Sequence, residues 1–114
     1  MLNEVSRLFR ALAKPKRLRI LKLVEAGETY GAEVAAALDM SYSNACHHFR
    51  ELAAVGLVEA REVGARIFYS IPRGIAPGAK LSRMACAWVE GDERVGRDLR
   101  RLVKEKRKLA ERSD

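Results

Sequence analysis

The run SYSNACHHFRELAAVGLVEAREVGARIFYSI, Ser41 to Ile71, changes its hydrophobic period once, and that change decides the fold. Before Gly56 the apolar residues Ala45, Phe49 and Leu52 recur at i, i+4 and i+7, the spacing of one helical face. After it, LVEAREV and RIFYSI are rich in β-branched and aromatic residues, and Gly64-Ala65 sits between them, which reads as a β-hairpin. Ser41 or Ser43 can cap the helix, because a serine oxygen accepts from the free N–H groups of a first turn. Gly56 is a natural C-terminal stop.

Working outward, Leu2 to Ala13 carries Leu2, Val5, Leu8, Phe9 and Leu12 at helical spacing. Pro15 opens a second helix, since proline is well tolerated in a first turn. In it Leu18, Leu21 and Val24 form a stripe that Ile20 and Leu23 widen, while Arg17, Arg19 and Lys22 take other faces. GAEVAAAL, from Gly31 to Leu38, fits a short third helix, with Asp39-Met40 as a turn. On the other side, Pro72 to Ala79 reads as a loop, with two prolines and two glycines. Leu81, Met84, Ala85 and Trp88 return to helical spacing. Asp92 can cap a last helix bearing Val95, Leu99, Leu102, Val103 and Leu109, and the tail KEKRKLAERSD is expected to fray.

The expected architecture is therefore mainly α with a small β-hairpin. A short helix, a tight turn and a second capped helix make a helix-turn-helix, and a hairpin directly after it makes a winged one, here followed by C-terminal helices. The second helix of such a unit fits the major groove of B-DNA, and its N-terminal residues reach base edges.

Charge agrees with an acidic partner. The chain has 114 residues and a formal net charge of +7. Residues 1–30 carry a net +4, residues 31–91 are balanced, and residues 92–114 carry a net +3. Such a surplus favours nucleic acid. No apolar run approaches the roughly 18 residues that a membrane span needs, and the N-terminal apolar residues are periodic rather than continuous, so a cytoplasmic protein without membrane association is expected. Two cysteines 40 residues apart make neither a disulfide framework nor a paired zinc pattern. No phosphate loop and no nucleophile elbow is present, and both histidines lie inside a helix, which argues against an enzyme.

Cys46-His47-His48 places three metal-binding side chains in a row, yet adjacent helical residues point about 100° apart, so they diverge. With Ala45, Phe49 and Leu52 inward, Tyr42, Ser43, Cys46, His47 and Arg50 face outward, and Asn44 lies near the edge of that face. Asn can bond adenine and Arg guanine through paired hydrogen bonds, while Ser41, Ser43 and Tyr42 suit phosphates or bases. His48 is expected at the margin, against a neighbouring helix. The helix has Arg50 as its one permanent cation, so phosphate attraction must come from elsewhere. Lys14, Lys16, Arg17 and Arg19 are candidates, as are Arg61 and Arg66 on the wing.

Two segments and the spacing between them make the pattern specific. ALAKPKRLRILKLV, the Ser41–Ile71 run and the spacing between them resemble the ArsR-type winged-helix transcriptional regulators over roughly residues 3–71. The resemblance implies a homodimeric repressor of double-stranded DNA, with residues 1–71 as the DNA-binding domain and 72–114 as a loop and helices for dimerisation. It implies pairing through the first and last helices, hence Leu2, Val5, Phe9, Val95, Leu99, Leu102 and Val103 across a two-fold axis. The family's metal sites do not carry over. One uses a Cys-x-Cys pair where this chain has EVAAALDM, and another uses Asp and His on the last helix, where no histidine follows His48. No metal site and no cofactor is therefore expected. Two further readings stay open: a winged-helix adaptor that binds protein, and a thiol sensor through Cys46 facing the groove. Cys86, between Met84 and Trp88, reads as a buried hydrophobe.

Overall fold

The computed structural model describes residues 1–113. Its elements are α1 (Leu2–Leu12), α2 (Pro15–Ala26), β1 (Thr29–Tyr30), α3 (Gly31–Ala37), α4 (Tyr42–Ala54), β2 (Glu59–Val63), β3 (Arg66–Ser70), α5 (Pro77–Trp88) and α6 (Glu93–Ser113). The winged helix-turn-helix is α3, α4 and the β2–β3 hairpin. The helix starts follow from local chemistry. Pro15 and Pro77 stand in first turns, where a missing N–H costs nothing. Ser41, not Ser43, caps α4: its Oγ accepts from the Asn44 N–H at 3.0 Å. Asp92 Oδ1 accepts from the N–H groups of Arg94 (2.9 Å) and Val95 (3.1 Å) at the head of α6.

The wing is a three-stranded antiparallel sheet in the order β1-β3-β2. The third strand, β1, is only two residues long, Thr29 and Tyr30, which pair with Tyr69 and Phe68. Two residues are too few to show a period, so only tertiary pairing reveals it. The core gathers around α2 and α4. Phe49, Ile20, Leu21, Leu23, Leu52 and Leu57 are all fully buried, and the Phe49 ring stacks on Tyr69 of β3 at 3.9 Å between centroids.

Four expectations need correction. Helix α2 is enclosed on several sides: Arg17 and Lys22, expected on other faces, are each only 4% exposed. Lys22 is satisfied by Glu25 and Glu90. The loop expected to run to Ala79 ends at Pro77, and Gly78 lies inside α5. A Cβ on Gly78 would sit 2.5 Å from the Gly56 carbonyl oxygen, so that glycine permits close approach rather than a turn. The tail that was expected to fray continues α6 to Ser113. Lys106 helps to hold it, donating to the Glu28 carbonyl (2.9 Å) and to Glu33 Oε1 (3.0 Å).

The fourth correction concerns the face of α6. Val95 and Leu102 are 5% and 3% exposed, buried in the chain's own fold, and Leu99 packs against the same core. An Arg19–Asp98 fork, at 2.8 and 2.9 Å, ties α6 to α2. Val103 is exposed on the other side. The boundary at residue 71 thus divides the sequence but not the core, since Leu81, Ala85, Cys86 and Leu102 share one cluster with Phe49.

Candidate nucleic-acid interface

The outward face of α4 is built by its inward one. Ala45, Phe49 and Leu52 are fully buried, which turns Tyr42, Ser43, Asn44, His47 and Arg50 to solvent, with the cap Ser41 exposed beside them. These six polar groups form one continuous edge that begins at the helix N-terminus. The candidates on the wing and on α2 have more varied surroundings. Lys14 and Lys16 are exposed. Arg61 forks onto Glu28, at 2.6 and 3.0 Å, and lies over the Phe68 ring. That hydrogen-bonded fork holds the Glu28 carboxyl below the usual carboxylate range. Arg66 stacks its guanidinium over Tyr30 at 4.6 Å.

Arg17 is only 4% exposed. Its Nη1 donates to the Ala11 carbonyl at 3.0 Å, and its Nε donates to His48 Nδ1 at 3.1 Å. It joins α1, α2 and α4, and both bonds engage it within the fold, on the wall of the cleft between α1 and α4. Cys46 also departs from expectation. It is half-buried, and a Cβ added at Gly31 would lie 3.3 Å from its Sγ and 3.1 Å from the Tyr42 ring. The thiol therefore faces α3 beneath Tyr42 rather than the groove, and its hydrogen bond with Tyr42 raises the tyrosine pKa. Cys86 is buried, and desolvation pushes its thiol up to about 12.

Sequence reasoning missed Arg7 and Arg10. With Lys14, His47 and Glu51 they line a cleft of about 410 Å³ between α1 and α4. Only the packing of α1 beside α4 puts these two arginines next to His47. Among the described residues, no three His, Cys, Asp or Glu side chains group as a metal site would need. No helix of the described residues is long and apolar enough to cross a membrane.

His48 gives the interface's support a pH dependence. Burial, and then the charges of Arg17, His47, Lys14 and Lys16, hold its imidazole below the ordinary 6.5. The unfolded chain therefore takes the proton first. Stability present above about pH 6.5 is lost as pH falls through the lower folded-state value. Protonation would also remove the acceptor that Arg17 uses. The urea midpoint is expected to hold steady near neutrality and to drop as pH falls below about 6.5. In His48→Gln, whose amide oxygen can accept from Arg17 at any pH, that part of the drop should vanish. Equal drops in both proteins would refute the assignment.

The geometry has matching relatives. A family model described as "Bacterial regulatory protein, arsR family" matches residues 14–60, from the start of α2 into the wing. The HTH-type transcriptional regulator Rv0324 of Mycobacterium tuberculosis is 39% identical over 71 residues, 62% of this chain and 31% of that protein. The transcriptional repressor SmtB homolog of Synechocystis is 35% identical over 69 residues, 60% of this chain and 52% of that one. The chain thus spans about a third and about half of the length of these two relatives. It covers more of a Streptomyces lividans protein named as a probable mercury resistance operon repressor: 36% identity over 87 residues, 75% of this chain and 69% of that one.

Among solved structures, reduced HlyU of Vibrio cholerae shares the fold, with a TM-score of 0.62 at 23% identity over 75% of this chain and 88% of that one. The solution structure of Mb0332 (fragment 1-100) from Mycobacterium bovis has a TM-score of 0.65 at 32% identity, covering 81% of this chain and 83% of that one. It is described as a homodimeric winged helix-turn-helix DNA-binding domain of a possible ArsR-family transcriptional regulator. With the winged helix-turn-helix in place and these matches across α2, α3, α4 and the wing, the chain belongs to the ArsR family of bacterial regulatory proteins.

Proposed function

We propose that this protein is a homodimeric transcriptional repressor that binds double-stranded DNA in a sequence-specific way, acting in the cytoplasm. The observation that carries the reading is the exposed polar edge of α4, from the capping Ser41 through Asn44 and His47 to Arg50, set beside a wing. Asn44 and Arg50 supply the two side chains best suited to paired hydrogen bonds with adenine and guanine. Repression follows the printed names of two relatives. Purified protein should select roughly palindromic duplexes from a random pool, with half-sites about one helical turn apart. A mobility shift that shows no complex even at low salt would sink the idea.

Arg50→Ala should weaken the selected operator about 5- to 150-fold, roughly 1–3 kcal/mol, and relax choice at one base pair. The melting temperature should not move, because Arg50 is exposed. Unchanged affinity in Arg50→Ala and in His47→Ala would favour the adaptor reading instead.

For the dimer we assign α1 and α5 in place of α1 and α6. Leu2, Phe9, Met84 and Trp88 are 84%, 57%, 50% and 69% exposed, and Val5 is half-buried beside them. Phe9 and Trp88 line an apolar cleft of about 450 Å³ with Leu12, Leu18, Leu81 and Ala85. Large aromatics in water beside such a cleft are what a self-complementary interface would cover. The described homodimeric state of the Mycobacterium bovis fragment supports the same reading.

A further inference from the structure

Helix α6 carries Arg97, Arg101, Lys104, Lys108 and Arg112 at i, i+4, i+7, i+11 and i+15, and all five are exposed. That spacing is one face of a helix, a stripe of about 22 Å at roughly 1.5 Å per residue. Two observations orient it. Arg101 Nη2 donates to the Ala36 carbonyl at 3.3 Å, near the C-terminal end of α3. The stripe therefore lies alongside the turn that leads into Ser41 and the start of α4. Near the other end, Leu109 shares a cavity of about 280 Å³ with Tyr42 of α4 and with Ala65 and Arg66 at the wing tip. The helix thus runs beside both elements read here as touching DNA. Lys106, pinned to Glu28 and Glu33, fixes it there.

The charge inventory of those elements gives the stripe a task. Duplex DNA carries one negative charge per about 1.7 Å of axis. Helix α4 offers one permanent cation, Arg50, and the wing offers Arg66 beside Arg61, which is forked onto Glu28, while Arg17 is buried. On α6 one stripe cation has an acidic neighbour: Glu105 approaches Lys108 at 3.6 Å, an exposed pair of the weak surface kind that a phosphate can replace, while no ion pair among the described residues engages Arg97 or Lys104.

We propose that the basic stripe of α6 grips the phosphate backbone beside the half-site, a sequence-independent contact additional to α4 and the wing. The proposal rests on the reading of α4 as the recognition helix. A bare solvated face is the competing outcome, and salt dependence separates the two. The full chain would be titrated, by fluorescence anisotropy over a range of salt, onto its selected operator and onto a random duplex of the same length.

Lys104→Ala/Lys108→Ala should reduce the log–log salt slope by about 2 and weaken both duplexes roughly 10- to 60-fold near 0.1 M salt. The ratio of operator to random affinity should stay constant, because phosphate contacts carry no sequence information. The melting temperature should also hold, as both lysines are exposed. Arg73→Ala/Lys80→Ala, the same charge loss on the loop after β3 and on α5, should leave the slope unchanged. Equal effects in the two double variants, or no effect in either, would overturn the proposal alone. Absence of any wild-type complex at low salt would overturn the reading of α4 and this proposal together.

Discussion

Phe49→Ala is expected to lower folding stability by about 3–5 kcal/mol, roughly a fifth or more of what a domain of this size holds. Phe49 is fully buried at the centre of the inward stripe of α4, between Ala45 and Leu52. Its ring lies nearly parallel to Tyr69, at 3.9 Å and 2°. Tyr69 belongs to β3, which pairs with both β1 and β2. One contact therefore sets the recognition helix against the whole wing. Truncation removes the transfer free energy of the ring and leaves a cavity lined by rigid neighbours that collapse only in part. Urea denaturation followed by circular dichroism measures the loss. Phe49→Leu, closer in volume, should cost less than half as much. A loss under about 1 kcal/mol for alanine would show that the packing does not join helix and wing as described.

The second large effect is expected at the other end of the molecule. Phe9→Glu/Trp88→Glu should convert the proposed dimer to a monomer, halving the mass found by light scattering to the chain's 12.8 kDa. Both residues are more than half exposed in the single chain, so neither supports the fold from within. In a two-fold interface each substitution appears twice, so four carboxylates would be desolvated without partners. A net penalty of about 4 kcal/mol weakens the dimer about 10³-fold. The monomer should keep its melting profile in dilute solution and lose the operator, since one half-site alone binds weakly. A variant that stays dimeric would move the interface away from α1 and α5. Val103→Glu on α6 is the matching control and should leave the dimer intact.

The two sites differ in how far the sequence revealed them. The recognition helix was legible because its three determinants are local: an apolar period, a capping serine and a terminating glycine. Each acts within a few residues, and backbone geometry alone converts it into a face. The proposed dimer face was only half legible. Val95, Leu99 and Leu102 have the right period for an interface, but period says only that a face is apolar. Whether it meets a partner or its own domain depends on what lies opposite, and here α2 and α3 lie opposite. Met84 and Trp88 on α5 have the same period and are left in solvent.

The sequence by itself determined the order of the six helices and the hairpin, the Asp92 cap, and the outward placing of Tyr42, Ser43, His47 and Arg50 on α4. These follow from periods of 3.6 and 2 and from the donors and acceptors at helix ends, all short-range causes. Only the tertiary structure decided the fate of the cations. Arg17 meets His48 across 31 residues, Arg61 meets Glu28 across 33, Lys106 meets Glu33 across 73, and Arg19 meets Asp98 across 79. A positive charge in a sequence is the same whether it will be buried, neutralised or offered to a phosphate. Only folding brings the acid, the carbonyl or the solvent to it, so the tertiary structure identified the stripe on α6 and removed Arg17 from the surface.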